Sequence, residues 1–184
     1  MATIFSHAVF ATALGAAFMA LPMKEPPVRF WILAGICAAL PDADVIGFAF
    51  GIRYGDLLGH RGLSHSILFA LLIGWLVVKV CFRESVAGVR KSALVFFFFL
   101  ATISHGCLDA LTNGGLGVAF FAPLENTRYF FSWRPIEVSP LGAQFFSERG
   151  MMVLLSELRW VWGPSLIIVA VCTMWRRRAR EIAR

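Results

Sequence analysis

Seven side chains in this sequence are of types that bind transition metals: His7, His60, His65 and His105, with Asp42, Asp44 and Asp109. They are all four histidines of the 184-residue chain and three of its four aspartates. Imidazole nitrogen and carboxylate oxygen together suit Zn²⁺, Mn²⁺ or Fe²⁺, and seven donors suffice for one ion or two. Spacing within the motifs supports a shared target. In "SHGCLDAL", His105 and Asp109 stand four apart, so on a helix they share a face. In "LPDADVI", Asp42 and Asp44 straddle one residue beside Pro41, where a distorted helix end can turn both carboxylates to one side. In "GHRGLSHSIL", His60 and His65 have no helical relation; meeting one ion requires a turn at Arg61-Gly62, which Gly62 permits.

The elements that must position these residues follow from composition. The chain is 59% hydrophobic and 15% charged, with mean hydropathy +0.75. That mix excludes an ordinary soluble domain and predicts an integral membrane protein. Since a helix needs roughly 20 residues to cross about 30 Å of hydrocarbon, we expect an all-α, polytopic bundle of about five spans, a single domain over residues 1–184. The spans are placed at about 3–21, 28–50, 64–82, 92–113 and 155–175. The first stops at "PMKEPP", whose prolines cannot continue a helix. It lacks a basic leading region and a small-x-small cleavage site, so it reads as a retained helix. Pro41 breaks the second, and Ser64 stands where the third would be N-capped. Val161–Trp175 is short and needs Met151–Trp160 to lengthen it, unless that stretch lies at the interface. Residues 114–150, with their prolines, glycines and alternating aromatics, predict a long aromatic loop or hairpin capping one end of the bundle.

Charge orients the bundle. With the N-terminus outside, the inner segments hold Lys24, Arg29, Lys79, Arg83, Arg90, Lys91, Arg176, Arg177, Arg178, Arg180 and Arg184, against Arg53, Arg61, Arg128, Arg134, Arg149 and Arg159 outside. The bias predicts N-out and C-in. The basic tail is then a lipid-headgroup anchor, with membrane lipids as partners and no nucleic acid. On this topology all seven candidate ligands fall at one membrane level, the outer face. Singly they have plainer readings: His7 as an interfacial residue, Asp42 as a cap or partner of Arg61, Asp109 as the partner of an arginine across the bundle. Intramembrane carboxylates cost about 2.5–3.5 kcal/mol each at a helix centre, so their convergence with four histidines favours a metal site. Ser64, Ser66, Ser104 and Thr112 read as caps or supports for histidines. Phe96–Phe99 and the tryptophans read as lipid-facing or interfacial bulk, and the four cysteines, without CxxC spacing, as small buried thiols.

The ordered set "PDAD", "GHRGLSHS", "SHGCLDALTNGG" and "FFAPLENTRYFFSWRPIEVSP", preceded by an N-terminal histidine, resembles the YdjM-type family of LexA-regulated inner-membrane metal-dependent hydrolases. The resemblance runs from His7 to about Pro140. It implies a helical inner-membrane protein with a metal centre at one membrane face, and its pattern maps onto His7, Asp42, Asp44, His60, Arg61, His65, His105 and Asp109. Ser64 stands where members often have Thr, and Ala122 where they often have Trp. Neither departure touches a ligand.

The parts suggest hydrolysis. A His/Asp-bound ion, most readily zinc, with an open position activates water. Asp44 is the candidate proton acceptor. Arg61, whose planar fork suits a phosphate, is the candidate substrate clamp, and the aromatic loop with Arg128 and Arg134 would admit a lipid headgroup. The expected reaction is therefore cleavage of a phosphoester in a lipid or lipid-linked substrate. Two other classes stand beside it: a metal-bound but non-catalytic membrane scaffold or regulator, and an ion or proton transporter. A transporter would distribute its polar residues through the membrane depth rather than at one level.

Overall fold

The computed structural model describes residues 1–20, 25–140 and 145–182. Leu21 at the end of the first expected span, Lys24 and Arg184 of the charge bias, and residues 141–144 of the expected loop lie outside the described residues.

Helices occupy all five expected places. Helix α1, Ile4–Phe18, is capped by Thr3, whose side chain accepts from the Ser6 amide. Helix α2, Val28–Ala39, follows Pro27 and tightens into a 3₁₀ segment, Leu40–Phe50, with Pro41 at its start. Proline removes an amide donor and its ring crowds the preceding turn, so the regular ladder cannot continue through it. Gly51, at φ 78°, closes the segment. Helices α3, Ile67–Cys81, and α4, Lys91–Ala110, are joined by a short turn in which Val86 and Val89 pair. After the long loop come α5, Glu148–Glu157, a π-turn, Leu158–Trp162, and α6, Gly163–Ile182.

Val28–Phe50, Lys91–Ala110 and the continuous 35-residue rod Glu148–Ile182 are long and apolar enough to span a membrane, while α1 and α3 are apolar but shorter. The fifth expected span therefore extends in both directions, because α5 runs into α6 without a break. The third begins later than expected. Ser66, not Ser64, accepts from the Phe69 amide as N-cap, and Ser64 is committed elsewhere.

Helix α4 is the bundle's axis: 61% of its apolar window is buried, against 28% and 22% for the other two long spans. Its phenylalanines divide accordingly. Phe96 faces outward, but Phe97 and Phe98 are buried against Phe30, Phe82 and Leu94, correcting the reading of the whole run as lipid-facing bulk. A residue apolar on all sides of a helix carries no periodicity that marks which side is core. Among the cysteines, all free, Cys37 is buried and the others partly so. Helix α3 approaches α4 closely at Gly74, where a Cβ would come within 2.7 Å of the Phe99 amide nitrogen. Its other face, with Leu68, Leu72, Trp75 and Val80, is exposed, the apolar exterior a bilayer requires. The loop after α4 folds back as a cap. Phe131 donates to Ala110, Ala119 to Arg61, and Ile67 to Phe120, and Val118 pairs with Tyr129 as in a short hairpin.

Candidate metal centre

Four elements remote in sequence deliver the ligand candidates. Helix α1 carries His7 in its second turn, the 3₁₀ segment carries Asp42 and Asp44, and the last turns of α4 carry His105 and Asp109. The segment between the 3₁₀ run and α3 brings His60, Arg61 and, in the short 3₁₀ turn Leu63–His65, His65. That segment coils tightly. A Cβ on Gly59 would lie 2.1 Å from the Arg53 carbonyl oxygen, and one on Gly62 2.3 Å from that of Leu57. The turn at Arg61-Gly62 thus forms as expected but for a different reason. The left-handed residue is Arg61, at φ 63°, whereas Gly62 is needed for close backbone approach.

Asp42, His65, His105 and Asp109 each offer one ligand atom, all within 4.8 Å of one another, and all four residues are buried. His105 Nε2 lies 3.2 Å from Asp42 Oδ1 and 4.0 Å from Asp109 Oδ2; His65 Nε2 lies 3.7 Å from each of the same two oxygens. Four donors about 2.0–2.1 Å from a central ion form a tetrahedron with edges of about 3.3–3.4 Å. The observed separations bracket that value.

Protonation strengthens the fit. His105 Nδ1 lies 2.6 Å from the Ala38 carbonyl oxygen, which only accepts, so Nδ1 carries a proton and Nε2 is the nitrogen turned toward Asp42. His65 is set likewise: Nδ1 lies 2.9 Å from Ser64 Oγ, and Ser64 donates onward to Asp44 Oδ2 at 2.6 Å. Both Nε2 atoms thus face the carboxylates of Asp42 and Asp109, the arrangement in which a cation bound between them would take all four donors. Asp42 Oδ1 and Oδ2, His65 Nε2 and His105 Nε2 are buried without a hydrogen-bond partner among the described residues, and Asp109 Oδ2 is met by the Arg61 guanidinium at 2.9 Å. Buried polar atoms are ordinarily paired, and this concentration of donors is one that could hold a metal ion.

The other predicted residues surround the four. Asp44 stands behind the histidines, where it meets His60 Nδ1 at 2.7 Å and accepts from Ser64 and from the Arg61 amide. Asp44, His60 and His65 form a second three-donor group, but these hydrogen bonds already engage its lone pairs. This is the carboxylate–histidine support that orients ligating imidazoles. Arg61 is wholly buried. Its Nε pairs with Asp109 Oδ2 at 2.9 Å, and its two terminal nitrogens donate to the Gly114 carbonyl and Thr112 Oγ1. The guanidinium expected to clamp a substrate is turned inward to hold Asp109. His7 lies at the edge, stacked on His105 with ring centroids 3.7 Å apart, its Nε2 3.7 Å from Asp109 Oδ1. Arg128 is a strut, donating to the carbonyls of His60, Tyr54 and Asp56; burial holds its guanidinium below the usual arginine range and pushes the neighbouring Tyr54 hydroxyl up. Arg134 is exposed over the Phe130 ring. Sequence reasoning passed over Glu157, a buried carboxylate that accepts from the Thr3 amide and hydroxyl and so anchors the start of α1. An acid inside the apolar run "MMVLLSELRW" was its only signal.

Fold and site together define a polytopic helical membrane protein with a buried His/Asp centre at one end of its bundle. The chain belongs to the YdjM inner membrane protein family, whose profile matches residues 1–181. It is 37% identical over 179 residues to the Escherichia coli (strain K12) inner membrane protein YbcI, an alignment covering 97% of this chain and 100% of that protein. No solved structure matches the chain.

Proposed function

We propose that the protein is a membrane-bound metal-dependent hydrolase acting on a phosphoester of a lipid or lipid-linked substrate, oriented N-out and C-in with its centre at the outer face of the inner membrane. The observation that carries this reading is the convergence of four buried donors, Asp42, His65, His105 and Asp109, within 4.8 Å of one another, those of Asp42, His65 and His105 without a hydrogen-bond partner among the described residues. These four would hold the ion, and zinc fits their nitrogen and oxygen donors and tetrahedral spacing. A bound divalent ion supplies Lewis acidity and a water of lowered pKa. Asp44 and Ser64 hold the His65 ring, the Ala38 carbonyl holds His105, and Arg61 holds Asp109. The oxygens of Asp44 are engaged, and Asp44 as the proton acceptor would have to exchange its hydrogen bond from Ser64 or His60 for one from water. A lipid substrate is supported by a cavity of about 270 Å³ beside the centre, lined by Ile67, Leu68, Leu71 and Phe120–Leu124. It opens on the membrane-facing side of α3, with Leu124 at its rim 94% exposed.

The test is elemental analysis of detergent-purified protein beside folded His65→Ala and Asp109→Ala, followed by phosphate release from phosphatidic acid and other phosphoester lipids. Stoichiometric metal in the wild type alone, with metal-dependent turnover, supports the reading; folded wild type that takes up neither Zn²⁺ nor Mn²⁺ overturns it. One observation favours the scaffold reading: four protein donors can saturate a tetrahedral ion, as in structural sites. Co²⁺-substituted protein separates the two. A visible spectrum that changes on adding azide indicates an open position and hydrolysis, and an unchanged one a closed, non-catalytic ion.

A further inference from the structure

The opposite end of the bundle carries a second feature. Trp162 donates to Ser6 near the metal-centre end of α1, and Arg176 lies fourteen residues further along α6, about 21 Å at 1.5 Å per residue. There α1, α2 and α6 diverge around a cleft of about 320 Å³ lined by Thr12, Ala16, Trp31, Val169, Cys172, Thr173 and Arg176. Trp31 packs closely against α1, where a Cβ on Gly15 would come within 2.6 Å of its ring. Thr173 and Arg176 also line an adjoining cavity of about 280 Å³ whose remaining walls are Glu25, Arg177 and Arg180. The two together run from an apolar slot between spans to a mouth with three arginines and one carboxylate. Arg176 is 14% exposed. Its Nε has no hydrogen-bond partner among the described residues, and its charge is met only across 3.3 Å by Glu25, which Arg180 engages more closely at 2.6 Å.

We propose that this cleft is a binding site for an anionic phospholipid, its phosphate held by Arg176, Arg177 and Arg180 and one acyl chain lying along Trp31 between α1 and α6. An apolar slot opening on a cationic mouth matches the two halves of such a lipid. Three arginines against one glutamate leave two net positive charges for the headgroup, which set a preference for anionic over zwitterionic lipid on the order of 10-fold. Glu25 competes with the phosphate for Arg176 and Arg180. The site is independent of the hydrolytic reading, since no residue of the metal centre lines it.

The test is quenching of tryptophan fluorescence in phosphatidylcholine vesicles containing about 5 mol% of a brominated-chain lipid, either phosphatidylglycerol or phosphatidylcholine, with Trp31→Phe used to isolate the Trp31 signal. Brominated phosphatidylglycerol should quench Trp31 several-fold more than its share of the lipid predicts, and brominated phosphatidylcholine only in proportion. Arg176→Gln/Arg180→Gln should abolish the difference while leaving metal content unchanged, and Glu25→Gln should enlarge it. Equal quenching by the two lipids in the wild type overturns the site. So does a Glu25→Gln variant, folded and metal-bearing, that shows no gain.

Discussion

Two carboxylates of the candidate centre should respond to very different degrees to the same conservative change. Asp109 does two things: Oδ2 faces His65 and His105, and it also pairs with the buried Arg61 Nε at 2.9 Å. Asp109→Asn leaves that guanidinium without its counter-charge, and breaking a buried pair on one side costs about 3–5 kcal/mol. At about 2–4 °C per kcal/mol for a chain of this size, the metal-free protein should melt roughly 6–20 °C lower. Asp42 has no hydrogen-bond partner on either oxygen among the described residues. Its Oδ1 faces histidine nitrogens, His105 Nε2 at 3.2 Å and His65 Nε2 at 3.7 Å, and no arginine, so Asp42→Asn should cost metal-free stability only about 1 kcal/mol or less. Both variants should lose the ion, and with it the added stability of about 4 kcal/mol that a ligand at 1,000 times its Kd confers. The assay is thermal unfolding in detergent at pH 8, with chelator and with Zn²⁺, beside elemental analysis. If metal-free Asp42→Asn melts as low as Asp109→Asn, then Asp42 is the structural partner of a protonated histidine and the ion reading is refuted.

Asp44→Asn should weaken metal binding about 10–100-fold by loosening His65 without changing the number of ions bound at saturation; equilibrium dialysis showing a fall from two ions to one would instead assign Asp44 a site of its own. Gly62→Ala must push a Cβ to 2.3 Å from the Leu57 carbonyl oxygen, so the loop carrying His60 and His65 cannot close as it does. Circular dichroism should keep its helical signal while elemental analysis shows the metal gone, and retention of stoichiometric metal would contradict the loop geometry. Because an imidazole nitrogen binds an ion only when it carries no proton, affinity should fall as pH is lowered, and the Asp42 and Asp44 carboxylates, which raise the proton affinity of His65, should bring that fall in at higher pH. Titration should show about two protons displaced per ion, and an affinity flat between pH 5 and 8 would exclude imidazole ligands.

Several features needed only the sequence. Length and hydropathy determined a helical membrane bundle, because a backbone in hydrocarbon must satisfy its own hydrogen bonds within each span. The ligand types were legible as well, since imidazole and carboxylate side chains stand out in apolar runs. The i,i+4 pair His105 and Asp109 could be assigned to one face, as helical geometry is local. What each polar residue does was decided only by the tertiary structure. Arg61 and Asp109 are 48 positions apart by number, and nothing local says that the guanidinium turns inward to Asp109 rather than outward to a substrate. Asp42 and Asp44 are two residues apart on the same 3₁₀ segment, yet one faces His105 and the candidate ion position and the other backs His60 and His65. The difference arises because His60, Arg61 and Ser64 arrive from a separate loop to occupy Asp44 and leave Asp42 bare. Composition selects which groups are present, but their pairing depends on which chain segments meet, and that is fixed by packing around α4.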